Sequence, residues 1–179
     1  MSSAATGTDS ATFRRACAEF ATGVTAITAR TPDGEIAAMC ANSFTSVSLE
    51  PPIVLFCVGK NVSSAPLLAA ASHAAVHVLD ASQEEVARRL ATSGLSGAER
   101  LEGVDWAPGR FGEPVLSACA GRFSGPIIER IESGDHLIYL LGVEDVSLPP
   151  RQEPALLFHR GRFSATPTAE PEPEESDHP

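Results

Sequence analysis

The apolar positions change period several times along the first third of the chain. Val24 to Arg30 alternates and is rich in β-branched residues, which predicts a strand. Pro32-Asp33-Gly34 follows as a turn: proline presets one backbone angle and glycine accepts the left-handed one. The pattern resumes from Glu35 to Ser46 and predicts a second strand that pairs back on the first. Pro51 and Pro52 then interrupt it, because proline lacks an N–H and restrains its predecessor. Ile53 to Val58 is short and almost purely apolar, as a buried strand is.

Before this region, residues 1–8 are small and polar and are expected to be disordered. Asp9 or Ser10 caps a helix with Phe13, Ala16, Cys17 and Phe20 at helical spacing; it ends near Gly23 and plugs one end of the fold. After it, Ser63 or Ser64 caps a helix starting near Ala65-Pro66, and Ala74 to Leu79 is a strand. Ser82 caps a helix over Gln83 to Ala91. Thr92 to Pro114, rich in glycine and charge, reads as an irregular excursion with one helical turn at Gly97 to Leu101. It is a candidate lid or dimer contact, with simple packing of Trp106 as the alternative. Val115 to Arg130 is a strand with a bulge expected at Gly125-Pro126, Ser133-Gly134-Asp135 a hairpin turn, and His136 to Val146 its apolar partner. Ala155 to His159 is a last strand, and Gly161 to Phe163 closes a single domain spanning 9–163. The Pro/Glu-rich stretch from Ser164 is expected to be disordered. Six or more short strands with few helices make a mainly β protein, an antiparallel barrel whose edges are hidden by closure and by dimerisation.

Composition narrows the function. The net charge of −10 across 179 residues is partly a property of the tail, where Glu170, Glu172, Glu174, Glu175 and Asp177 sit. No basic stripe with interleaved aromatics is present, so nucleic acid is not an expected partner. No apolar run is long enough to cross a bilayer, and no secretory leader pattern opens the chain, so the expected compartment is the cytoplasm. Cys17, Cys40, Cys57 and Cys119 lack metal-ligand spacing and read as small apolar residues; no metal site is expected. The GxSxG, HExxH, P-loop and GxGxxG patterns are all absent.

What remains is a ligand-presenting stretch. Asn42, Ser43, Thr45, Ser46 and Ser48 crowd hydroxyl and amide groups just ahead of the apolar strand. Such groups suit a flat ligand with a polar edge, but none is an acid, base or nucleophile. Gly59 to Ser64, at the end of that strand, is a polar loop whose Lys60 and helix start could take a phosphate, or could be an ordinary solvated cap.

Three motifs in order, FATGVTAITA from Phe20, ANSFTSVSLEPP from Ala41 and GDH from Gly134, resemble the flavin reductase family of flavin-binding split barrels, the reductase components of two-component flavin monooxygenases. The resemblance runs from about Phe13 to Phe163. It implies a split β-barrel of Greek-key type with a few short flanking helices, and an NAD(P)H:flavin oxidoreductase using FAD or FMN. NADH is favoured over NADPH, since no arginine cluster awaits a 2′-phosphate. The implied partner is a separate monooxygenase of natural-product or aromatic metabolism, and the implied assembly a homodimer. Carried over by residue, Asn42, Ser43, Ser46, Val47 and Ser48 lie along the flavin ring and ribityl chain, and Cys40 and Ala41 contribute backbone. Cys57, Lys60, Asn61 and Ser64 serve the phosphate end, His136 places the dihydronicotinamide, and Phe163 flanks the site. Cys40 stands where the family usually has threonine, and His77 where it often has asparagine. The alternatives are a flavin carrier that uses NAD(P)H poorly and an oxidase of the pyridoxamine-phosphate type, which would want more Arg and Lys than this chain offers.

Overall fold

A computed structural model describes residues 9–150 and 153–167. The disorder expected at 1–8 and in most of the tail therefore lies outside the described residues.

In chain order the elements are α1 (Ser10–Cys17), β1 (Thr22–Gly23), β2 (Thr25–Arg30), β3 (Ile36–Ala41), β4 (Thr45–Leu49), β5 (Pro52–Gly59), α2 (Ala65–Ala70), β6 (His73–Val78), α3 (Glu84–Leu90), α4 (Gly97–Arg100), β7 (Trp106–Pro108), β8 (Pro114–Leu116), β9 (Gly121–Ser133), β10 (His136–Gly142), β11 (Asp145–Ser147), β12 (Leu156–His159) and β13 (Arg162–Ala165). The main sheet runs β3-β2-β6-β9-β10-β5-β4, with β11 also on β9. All these pairings are antiparallel.

The two edge strands of that path, β3 and β4, are consecutive in the chain and joined only by Asn42, Ser43 and Phe44. A link that short makes the sheet curl and brings its edges near each other, but β3 and β4 do not pair, so the barrel is open, or split. The predicted single strand from Glu35 to Ser46 is thus two strands, divided where the chain crosses the gap.

Both faces of β2 are buried. Ile27 and Ala29 join Phe56, Val58, Leu68, Val76, Tyr139 and Leu141 in one cluster, where Phe56 and Tyr139 stack at 5.2 Å. Val24 and Ala26 join Leu79, Leu90, Leu101 and Leu156 in a second, under α3 and α4.

Several local expectations are corrected. α1 is capped by Asp9, but it stops at Cys17 and buries no residue, so it plugs nothing; Phe13 and Phe20 are exposed. Asp80, not Ser82, caps the α3 region: its carboxylate accepts the Ser82 N–H at 2.9 Å and Gln83 reaches back to the Asp80 N–H. The register slip in the β9–β10 pair falls opposite Leu140 and Leu141 rather than at Gly125-Pro126. β13 runs to Ala165, two residues beyond the expected domain end, because Ser164 and Ala165 pair with β12.

The Thr92–Pro114 excursion is fastened down. It ends in the β7–β8 hairpin, where Pro114 O accepts from Thr28 Oγ1 at 2.5 Å and Gly112 O from Arg30 Nε at 2.9 Å. Leu116 N–H donates to Nε2 of His77 at 3.2 Å. His77 is fully buried, and burial lowers its pKa to about 4, so the ring is neutral and accepts that bond.

Candidate active site

Two adjoining clefts open where the chain crosses between the sheet edges, sharing Val24 and Asn42. The larger, about 500 Å³, is lined by Phe20, Thr22, Asn42, Ser43 and Phe44 among others. The smaller, about 170 Å³, is walled by Cys40, Ala41, Ala91, Phe158 and Phe163. Apolar walls with a few convergent polar groups are the usual make-up of a small-molecule site. The structure therefore brings Cys40, Ala41, Asn42, Ser43 and Phe163 together, although Phe163 lies over a hundred residues from the others in sequence.

The crossing is pinned at both ends. Thr25 Oγ1 donates to Ala41 O at 2.7 Å. Ser43 Oγ accepts the Cys57 N–H at 2.9 Å and donates to Cys57 O at 3.2 Å, extending the β4–β5 register two residues ahead of Thr45. The Ser43 hydroxyl and the Cys57 backbone are thus spent on each other. The Cys40 thiol is pushed up to about 11 by burial and stays protonated, a weak donor at most. Thr22 lines the larger cleft, and its Oγ1 is buried without a hydrogen-bond partner. Thr22, Ala91 and Phe158 also line the clefts; in sequence only the Thr22-Gly23 pair ahead of β2 signals them.

A second group gathers at the far end of β5. His136 pairs with Gly59 in register, two residues along from Cys57, or about 7 Å of strand. Its Nε2 lies 3.7 Å from the place a Cβ on Gly59 would take, so the glycine leaves the ring room. Its Nδ1 is 2.8 Å from Asp135 Oδ1, and that hydrogen bond holds the Asp135 carboxyl below its usual range. Lys60 Nζ is bonded to Glu132 and, at 2.7 Å, to Gly134 O. Asn61 is exposed beside it.

The remaining candidates lie apart from the clefts. Ser46, Val47 and Ser48 line the β4 edge, where Val47 is the extra residue of a register shift. Ser64 is buried and its hydroxyl is fully engaged, donating to Ala38 O at 3.1 Å and accepting from Arg100 Nη1 at 2.9 Å. Ser64 makes no side-chain cap to α2, which is only six residues long. Nothing in the GAER stretch of α4 signals in sequence that its arginine is buried.

Residues 17–167 match the family described as flavin reductase like domain. An NADH-dependent FAD reductase of Streptomyces globisporus is 40% identical over 157 residues, covering 87% of this chain and 85% of that protein. An NADH-dependent FMN reductase, SmoA, of Agrobacterium fabrum is 38% identical, covering 88% of this chain and 86% of that one. The reductase subunit HsaB of a flavin-dependent monooxygenase of Mycobacterium tuberculosis is 33% identical, covering 87% and 82%. The solved structure of the Streptomyces globisporus NADH:FAD oxidoreductase SgcE6 with NAD and FAD fragments superposes with a TM-score of 0.80 at 38% identity, covering 92% of this chain and 94% of that one.

Proposed function

We propose a reaction from one premise: the chain belongs to the flavin reductase like domain family. It is an NADH-dependent flavin reductase that releases reduced flavin to a separate monooxygenase component; relatives named NADH-dependent FAD reductase, FMN reductase (NADH) and reductase subunit of a flavin-dependent monooxygenase support this reading. The observation that carries this reading is the cleft around Asn42 in a chain 40% identical to an NADH-dependent FAD reductase. A flat ring system with a polar edge fits that cleft: aromatic side chains supply walls, and the exposed Asn42 amide supplies a polar group.

The bound nicotinamide and flavin supply the hydride chemistry, so the protein needs no acid, base or nucleophile of its own. Its work is to hold, orient and tune. Backbone groups of Cys40 to Ser43 present dipoles along one edge of the ring, and Phe163 covers it. Donors aimed there favour the electron-rich reduced ring by the logic of an oxyanion hole. His136, steered by Asp135, stands at the open end, where it places the dihydronicotinamide. Lys60 and Asn61 face anionic groups at the same end, and Ser46, Val47 and Ser48 extend the surface along β4. Because Ser43 and Ser64 spend their hydroxyls internally, they shape the site rather than touch the ligand through those atoms. We read the protein as a cytoplasmic homodimer in which a second copy covers the exposed Leu49 edge. Among the described residues no helix is long and apolar enough to cross a membrane.

The test is NADH oxidation followed at 340 nm, with FAD and FMN titrated separately. Saturable turnover with one of them is expected. Flavin binding without turnover, with NADH or with NADPH, would replace the enzyme by a carrier.

A further inference from the structure

Phe163 walls the smaller cleft from the edge of a minor sheet. That sheet runs β1-β12-β13, apart from the main one, and among the described residues β13 pairs with β12 alone. Backbone pairing therefore fixes the strand on one side and leaves the ring to be placed by side chains. Two groups place it. Phe158 meets Phe163 at 5.2 Å between centroids, with the ring planes tilted by 59°. The Arg88 guanidinium lies over the Phe163 ring, 4.8 Å from its centroid. Arg88 is itself held: its Nε and Nη2 donate to Glu84 Oε1, one turn earlier on α3, at 2.9 and 2.6 Å. Arginine suits both contacts at once, since a planar guanidinium holds a carboxylate with its edge and covers an aromatic ring with its face.

The same helix supplies another wall. Ala91, the C-cap of α3, lines the smaller cleft together with Phe163. Ala87 and Leu90 seat α3 in the second core cluster. A well-anchored helix thus carries one wall of the cleft and grips the other. Arg88 lines neither cleft, so its effect on a ligand passes through Phe163. Its charge does not reach far either. The Arg88 and Glu84 side chains are both exposed, the pair is neutral as a unit, and solvent screens it. What remains to Arg88 is geometry.

We propose that Arg88 is a positioning residue for the flavin ring: stacked on Phe163 and steadied by Glu84, it sets the width of the slot that Phe163 and Ala91 wall. This rests on the flavin reductase reading and adds a residue to its site. A slot kept at the thickness of a flat ring makes contact with both of its faces. A Phe163 ring free to swing loses one of those contacts, because dispersion fades within an ångström of separation. Ordering the wall before the ligand arrives also removes that cost from binding. The size of the effect follows from the setting: an exposed cation–π contact is weak, so its loss changes affinity by a few-fold and not by orders of magnitude.

The experiment measures FAD and FMN affinity by fluorescence titration, and NADH oxidation kinetics, for the parent protein, Arg88→Met, Arg88→Lys, Phe163→Leu and the double variant Arg88→Met/Phe163→Leu. Arg88→Met is expected to weaken flavin binding about threefold and to raise the flavin KM to match, with kcat and the NADH KM within about twofold of the parent. Arg88→Lys keeps the charge without the flat fork and should recover only part of the loss. Phe163→Leu should cost more, and adding Arg88→Met to it should cost nothing further, a coupling that a merely structural role on the helix would not produce. Additive losses in the double variant, or parent-like flavin affinity in Arg88→Met, would overturn the proposal. Full recovery in Arg88→Lys would show charge alone at work and overturn it as well. If the parent protein neither binds flavin nor oxidises NADH with it, the reductase reading fails; if it does both and Arg88→Met behaves as the parent, only this inference fails.

Discussion

Ser43→Ala isolates the stitch that pins the β3–β4 crossing to β5. Its hydroxyl makes two hydrogen bonds to the backbone of Cys57, one received at 2.9 Å and one given at 3.2 Å. Both residues are half-buried, so water replaces those bonds only in part. At about 0.5–1.5 kcal/mol net for each bond, the loss is about 1–3 kcal/mol. For a domain of this size about 2 kcal/mol corresponds to roughly 4–8 °C in Tm. Urea and thermal melts of the flavin-free protein measure it, with Ser43→Thr as the control that keeps the hydroxyl. Steady-state kinetics should show the flavin KM rising more than kcat falls, because the loosened segment positions the ring and takes no part in the chemistry. A Ser43→Ala protein within about 0.5 kcal/mol of the parent would refute the idea that this side chain anchors the crossing.

His136→Ala should raise the NADH KM and lower turnover while flavin affinity, read by fluorescence, stays within about twofold; unchanged NADH kinetics would remove His136 from the site. His77 predicts an acid-sensitive fold, because burial holds its folded pKa near 4 against 6.5 in the unfolded chain. Between those values the unfolded chain binds a proton that the folded one refuses. Stability should therefore be full above pH 6.5 and fall by up to about 1.4 kcal/mol for each unit toward pH 4. Urea midpoints at pH 7, 6 and 5 would show the slope, and His77→Gln should flatten it. Gly97→Ala should destabilise by about 1–3 kcal/mol, since a Cβ there would meet Ile36 O at 1.9 Å; a parent-like Tm would mean α4 can lift away from β3.

Strands such as β2 and β5 are legible because alternation and turn residues are local signals, whereas the single strand expected from His136 to Val146 is two, β10 and β11, the second pairing with β9 through Ser124 to Arg122. The division of β3 from β4 is not legible, since it answers to the closure of the sheet rather than to any breaker at Asn42–Phe44. The β7–β8 hairpin was missed because strands of three residues carry no period; they are held instead by Thr28, Arg30 and His77 from strands distant in sequence. At the candidate site, Asn42 and Ser43 stand out for their small polar groups, whereas Cys40, Ala41 and Phe163 enter only through resemblance. Ser64 looked like an available hydroxyl because its saturation depends on Arg100, thirty-six residues away. Thr22 and Arg100 matter through burial, which a single sequence does not display.

The three residues between β3 and β4 also bear on how such a chain can change length over time. The Pro32–Gly34 turn or the stretch around Glu102–Asp105 can gain or lose residues at the surface, where only a loop grows. At Asn42–Phe44 an inserted residue has no loop to enter. It would widen the gap between the two edges of the sheet, draw Ser43 off Cys57, and reshape the cleft in the same step. Insertions and deletions should therefore be tolerated widely around this protein and excluded from that one crossing, where the circumference of the barrel and the width of its binding cleft are a single quantity.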